Sequence, residues 1–103
     1  MRECHKYILQ KLIVEIVKDL EPEPLLLYLY QKEIINQDDM DEVRSKKIRK
    51  DVNEDLIFML MRRGPEAFSN LVEGLQRKQP FLTRSLLKEG KVNLQQSYNT
   101  KQV

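Results

Sequence analysis

At 103 residues the chain is the size of one domain, near the lower end of the range where a single apolar core suffices. Apolar residues make up 41% and charged residues 33%, which suits a compact bundle with a charged surface, and no run of about 18 apolar residues is available to span a membrane. The net charge of +2 conceals a segregation of signs, because Asp38, Asp39, Asp41 and Glu42 form an acidic block and Arg44, Lys46, Lys47, Arg49 and Lys50 follow at once as a basic one. Separate patches of opposite sign let a chain attract a copy of itself or a relative. The single cysteine makes no internal disulfide, and charges through the first 20 residues, from Glu3 and Lys6 to Lys18 and Asp19, do not fit a signal peptide. The expectation is therefore a reducing cytosolic or nuclear setting, with the cytoplasmic one taken as the location.

The spacing predicts a first helix over 3–20, with Ile8, Leu9, Leu12, Ile13, Ile16, Val17 and Leu20 as its apolar stripe. Glu21-Pro22-Glu23-Pro24 ends it and opens a second helix to about residue 33, with acids at the positive end of its dipole. This second helix, through Leu25–Leu27, Tyr28, Leu29 and Tyr30, is apolar nearly all round and is expected to be central. Asn36 with Asp39 three residues on makes a capping-box pattern for a short third helix over 37–45. A fourth helix places Ile48, Val52, Leu56, Met59 and Leu60 on one face and ends at Arg62-Arg63-Gly64.

Gly64-Pro65 is a hard break. Pro65 suits the first turn of a fifth helix running to about 77, because its φ is already helical and its missing N–H has no partner there. Phe68, Leu71, Val72 and Leu75 fall at i, i+3, i+4 and i+7 and are expected to be buried. A sixth helix opens at Pro80, buries some of Phe81, Leu82, Leu86 and Leu87, and stops near Gly90. Residues 91–103 are mostly Gln, Asn, Ser, Thr and Lys without apolar periodicity, and read as a disordered tail or linker. No β pattern or internal repeat is present, so the reading is one all-α domain over 1–90, six short antiparallel helices around one core.

Three segments carry a family resemblance. "LLLYLYQKEII" at 25–35, "QDDMDEVR" at 37–44 and "RRGPEAFSNLVEGL" at 62–75 resemble, in order, helix two, the start of helix three and the helix-four to helix-five junction of caspase-recruitment domains (CARDs), of the death-fold superfamily. The resemblance covers about residues 3–90 and is nearest to the recruitment domains of caspase adaptors and initiator-caspase prodomains.

It implies homotypic pairing, in which a basic surface on helices one and four of one domain meets an acidic surface on helices two and three of another. Such a module would recruit or oligomerise an initiator caspase or its adaptor in apoptotic signalling, with self-association included, or would act as a decoy that blocks assembly. Carried over by position, Asp38, Asp39, Asp41 and Glu42 match the acidic surface. Ile13 and Glu54 stand where strongly basic members carry arginines, so the basic face falls to Lys11, Lys50, Arg62 and Arg63, with Arg49 beside them.

Catalysis finds little support. Cys4 and His5 are adjacent, but Cys–His catalysis needs an oxyanion-stabilising site as well, and the pair reads as a frayed helix start. One Cys and one His do not make a zinc site. Gly64, Gly74 and Gly90 form no phosphate-cradling loop, Met59 and Met61 read as core filler, and Tyr28 and Tyr30 as core or rim. The expectation is no enzyme, cofactor, metal, membrane or small-molecule ligand. Nucleic-acid binding through Arg44 to Lys50 is the rival from another class, and the neighbouring acids oppose it by repelling the same phosphates.

Overall fold

The computed structural model describes residues 1–84. Five helices lie in chain order, α1 (Glu3–Asp19), α2 (Pro22–Gln31), α3 (Gln37–Arg44), α4 (Arg49–Met61) and α5 (Glu66–Lys78). A sixth opens at residue 80 and is helical to the last described residue, 84. The architecture is the all-helical bundle expected from the periodicity. The expected burial of Leu86 and Leu87, the stop near Gly90 and the tail at 91–103 lie outside the described residues.

Contacts between helix ends give the directions. The Met1 amine donates to the Arg63 carbonyl beyond the end of α4, while Asn53 and Arg49 at the start of α4 reach the end of α1, so these two helices run antiparallel. The Glu21 N–H before α2 donates to the Gln79 side chain after α5 at 2.6 Å, which sets that pair antiparallel too. Ion pairs from Glu23 to Arg44 and from Asp39 to Arg63 do the same for α2 with α3 and α3 with α4.

The core is aliphatic. Ile8, Leu9, Ile16 and Leu20 face Val52, Leu56, Ile57 and Leu60, with Leu25, Leu26, Leu29, Leu71 and Leu75 from α2 and α5. Leu82 joins from the sixth helix. α2 and α5 approach closely at Gly74, where a Cβ would stand 2.7 Å from Leu25 Cδ1 and 2.9 Å from Tyr28 Cδ2. A side chain at this position would require Leu25 and Tyr28 to shift. Beside it the Tyr28 hydroxyl donates to the Glu73 carboxylate, which binds the two helices by a polar contact at the edge of an apolar one.

Four expectations about burial are corrected. Ile48 is 61% exposed, because it precedes α4 as its N-cap and points out of the bundle. Asn53 and Ile57 complete the buried face of that helix instead. α2 is not apolar inward all round, since Leu27 and Tyr30 face solvent while Leu25, Leu26, Tyr28 and Leu29 face the core. Phe68 is half-buried, with Ala67 taking the fully buried place, and its ring stacks on His5 at 4.1 Å and 7°. His5 is therefore no frayed end: α1 is helical from Glu3, and the imidazole is held between α1 and α5.

Candidate protein-interaction site

The acidic cluster is built by the start of α3. Asn36 Oδ1 accepts from the Asp39 N–H at 2.9 Å and Asp39 Oδ2 accepts from the Asn36 N–H at 3.0 Å, completing the capping box anticipated from sequence. This fixes the first turn and projects its acids. Asp38, Asp41 and Glu42 are exposed and form no ion pair among the described residues, although Asp41 accepts a bond from Gln37 within its own helix. Met40 and Val43 anchor the helix by burial on its opposite side.

Asp39 differs from its neighbours. Its carboxylate accepts from Arg63 at 2.7 Å, and its side chain is largely covered. Two residues expected on opposite docking faces are thus joined to each other within one molecule. Asp39 and Arg63 are engaged with each other across α3 and the end of α4. Nothing in the local sequence signals this, because the residues stand on different elements and meet only when α3 and α4 pack.

Of the residues around the expected basic face, Arg49, and Arg44 of the neighbouring basic block, are also engaged within the molecule. Arg49 donates to the carbonyls of Leu20 and Lys18 and pairs with Glu21, so it serves the end of α1. Arg44 forms a two-point pair with Glu23, through which the guanidinium pKa is raised, chiefly by its hydrogen bond to that carboxylate. Lys11, Lys50 and Arg62 remain exposed, and Lys11 lies over the Tyr7 ring at 5.5 Å. The structure therefore separates the sequence-level basic block into structural and surface residues.

Lys50 stands on the rim of a shallow groove between α1 and α4, of about 270 Å³, whose other lining residues are Ile13, Val14, Val17, Lys18 and Glu54. Lys50, Ile13 and Glu54, the positions singled out by resemblance, do come together. With Val14 and Val17 they make a hollow that combines apolar lining with the charges of Lys18, Lys50 and Glu54. A second hollow of about 350 Å³ lies along α2, lined in part by Glu23, Leu27 and Lys78. The polar chemistry nearby is that of packing: hydrogen bonding to Glu73 raises the Tyr28 pKa, and the same bond lowers that of Glu73. Cys4 is an exposed free thiol, and among the described residues no group of three or more acids, histidines or cysteines is placed to hold a metal ion. No helix among these residues is long and apolar enough to cross a membrane.

The exposed apolar side chains Val14 and Leu27 were not legible as surface features. Val14 falls outside the α1 stripe by spacing, which is the one signal that pointed to it. Leu27 is embedded in an unbroken apolar run whose orientation is decided only by packing.

Comparison with known proteins agrees with the bundle. The model of the caspase recruitment domain matches residues 6–89. The chain is similar to Caspase-2 of Gallus gallus, at 30% identity over 107 aligned positions covering 97% of this chain and 25% of that protein. It is also similar to NLR family CARD domain-containing protein 4 of Xenopus tropicalis, at 25% identity over 59 positions, 57% of this chain and 6% of the relative. The chain thus spans a quarter or less of the length of these relatives.

Proposed function

The chain belongs to the caspase-recruitment-domain family, whose members are protein-interaction modules and not catalysts, and from that premise we propose that it recruits a second such domain through the exposed acids of α3. Asp38, Asp41 and Glu42 are the contact residues, and Asp39 positions them through its cap and its bond to Arg63. The observation that carries this reading is the division of labour within one acidic block, in which one carboxylate is consumed internally and three are presented to solvent without cross-element partners among the described residues.

A partner with a basic surface would meet these acids by charge-assisted hydrogen bonds, whose strength exceeds that of neutral ones and whose field speeds encounter. The partner class is an initiator caspase or its adaptor, in cytoplasmic apoptotic signalling. Similarity to a caspase and to an NLR protein supports a recruitment domain of a larger signalling chain.

The test is size-exclusion chromatography with light scattering, using this chain mixed with a set of recruitment domains at low and physiological salt. A stoichiometric complex that weakens with salt is expected, and it should be lost on Asp38→Arg with Asp41→Arg while helicity and melting are retained. Asp39 is left intact in this variant, because replacing it would also remove the cap. Unaltered binding in the double variant overturns the acidic-face reading.

A further inference from the structure

The outward side of α1 alternates apolar and basic residues. Tyr7, Lys11, Val14 and Lys18 recur at helical spacing, so they form one stripe opposite the buried one. Val14 is 79% exposed and Tyr7 is 46% exposed. Across the groove, α4 sets Lys50, Glu54 and Phe58 in a second stripe, with Phe58 also 46% exposed. Lysines therefore stand among uncovered apolar side chains, with Glu54 as the acid between them. Glu3 prolongs the α1 stripe, but it is paired with Lys6 at 3.2 Å.

The kind of cation matters. Arg44, Arg49 and Arg63 are held by Glu23, Glu21 and Asp39 within the molecule. Lys11, Lys18 and Lys50 form no ion pair among the described residues. An arginine fork suits a fixed carboxylate on a protein partner, whereas a lysine offers a hydrated point charge on a flexible stem. Such stems lie along apolar surface with the head in water, as Lys11 does over the Tyr7 ring at 5.5 Å. Diffuse negative charge over an apolar layer is what this face fits, and a bilayer containing anionic lipid supplies both. Nucleic acid supplies the charge, but its backbone offers nothing to Val14 or to Ile13 and Val17 in the groove.

We propose that the α1–α4 face rests on an anionic lipid surface. Tyr7, Val14 and Phe58 enter its interfacial layer, and Lys11, Lys18 and Lys50 meet the lipid phosphates and carboxylates. The lack of a membrane-spanning run bears on crossing a bilayer and not on lying against one. The contact does not use Asp38, Asp41 or Glu42 and stands apart from the recruiting reading.

Co-sedimentation with vesicles of phosphatidylcholine, alone or with about 30% phosphatidylserine, tests the assignment. The chain should pellet at least about fivefold more with the anionic vesicles, and less as salt rises. Lys18→Glu with Lys50→Glu should reduce binding to the phosphatidylcholine level. Lys32→Glu with Lys78→Glu, the same charge change on the α2–α5 side, should keep most of it. Val14→Ser, which leaves the charge alone, should lower binding by more than about twofold. These positions are all exposed, so unchanged helicity and melting serve as the folding control.

Equal pelleting with both kinds of vesicle overturns the proposal. So does a Lys18/Lys50 variant that binds like the parent, or a Lys32/Lys78 variant that loses as much. Undiminished binding by Val14→Ser would leave charge alone at work and overturns it too. Tighter binding to duplex DNA than to the anionic vesicles, lost in the Lys18/Lys50 variant, would assign the face to nucleic acid instead.

Discussion

Glu33 has φ of 63°, in the left-handed region that glycine usually occupies. The reason is the end of α2. The Glu33 N–H donates to the Tyr30 carbonyl and the Ile34 N–H to the Leu29 carbonyl, both at 3.0 Å, the paired bonds of a Schellman cap. A side chain at this position costs about 1–2 kcal/mol in the folded state, against about 0.5–1 kcal/mol that glycine loses through its freer unfolded chain. Glu33→Gly should therefore stabilise the domain by about 0.5–1 kcal/mol in urea unfolding, without changing the slope. A loss of stability would mean that the Glu33 carboxylate itself contributes to the cap. Asp39 makes the same point from the other side: its position three residues after Asn36 made its capping role readable, but its bond to Arg63 depends on how α3 meets α4.

At the scale of the element, α1 and α5 meet where the His5 ring lies on Phe68. Partial burial is the leading cause that lowers the His5 pKa below its ordinary 6.5, with the charges of Arg2 and the N-terminus acting in the same direction. The folded state thus favours neutral imidazole, while the unfolded chain takes up its proton first as pH falls. The contribution of His5 to stability is whole above pH 6.5 and is lost as pH falls through its lower folded value. The urea midpoint should decline from pH 6.5 downward, before the bulk of the carboxylates titrate below about pH 5. His5→Phe, which retains a stacking ring without a titrating group, should flatten that first decline. An identical slope in the variant would assign it to another group. The helices themselves were legible, since Pro22, Asn36 and Pro65 mark starts by backbone chemistry and the apolar spacing of α1 and α5 gives their buried sides. Orientation within α2 was not, because a helix apolar on all sides carries no periodic signal and its exposed side is whatever its neighbours leave uncovered.

Across the whole molecule, one end of the bundle converges on the turn between α1 and α2. Buried Asn53 donates to the carbonyls of Val17 at 2.9 Å and Leu20 at 2.8 Å, and Arg49 donates to Leu20 at 2.7 Å. Gln79, from beyond α5, receives the Glu21 N–H and donates to the Asp19 carbonyl at 3.0 Å. Side chains from the start of α4 and the end of α5 thus satisfy carbonyls that the end of α1 leaves without helical partners. No pattern in the sequence foretold this, because Asn53 sits at a core position where spacing calls for an apolar residue, and its amide is useful only once α1 has packed on α4. Asn53→Ala strips the Val17 carbonyl of this donor and leaves the Leu20 carbonyl to Arg49 alone, and should cost about 1–3 kcal/mol, and Gln79→Ala about 1 kcal/mol. The two side chains share no atom, yet each holds the same turn in the position the other requires. If the turn loosens when Asn53 is removed, Asp19 and Glu21 leave the positions in which Gln79 bonds both. The double variant should therefore cost less than the sum of the single ones by at least about 0.5 kcal/mol, measured by a cycle of urea denaturations at constant pH. Strict additivity would show that α4 and α5 secure the turn independently, and the four elements would then be fastened in pairs and not through one common point.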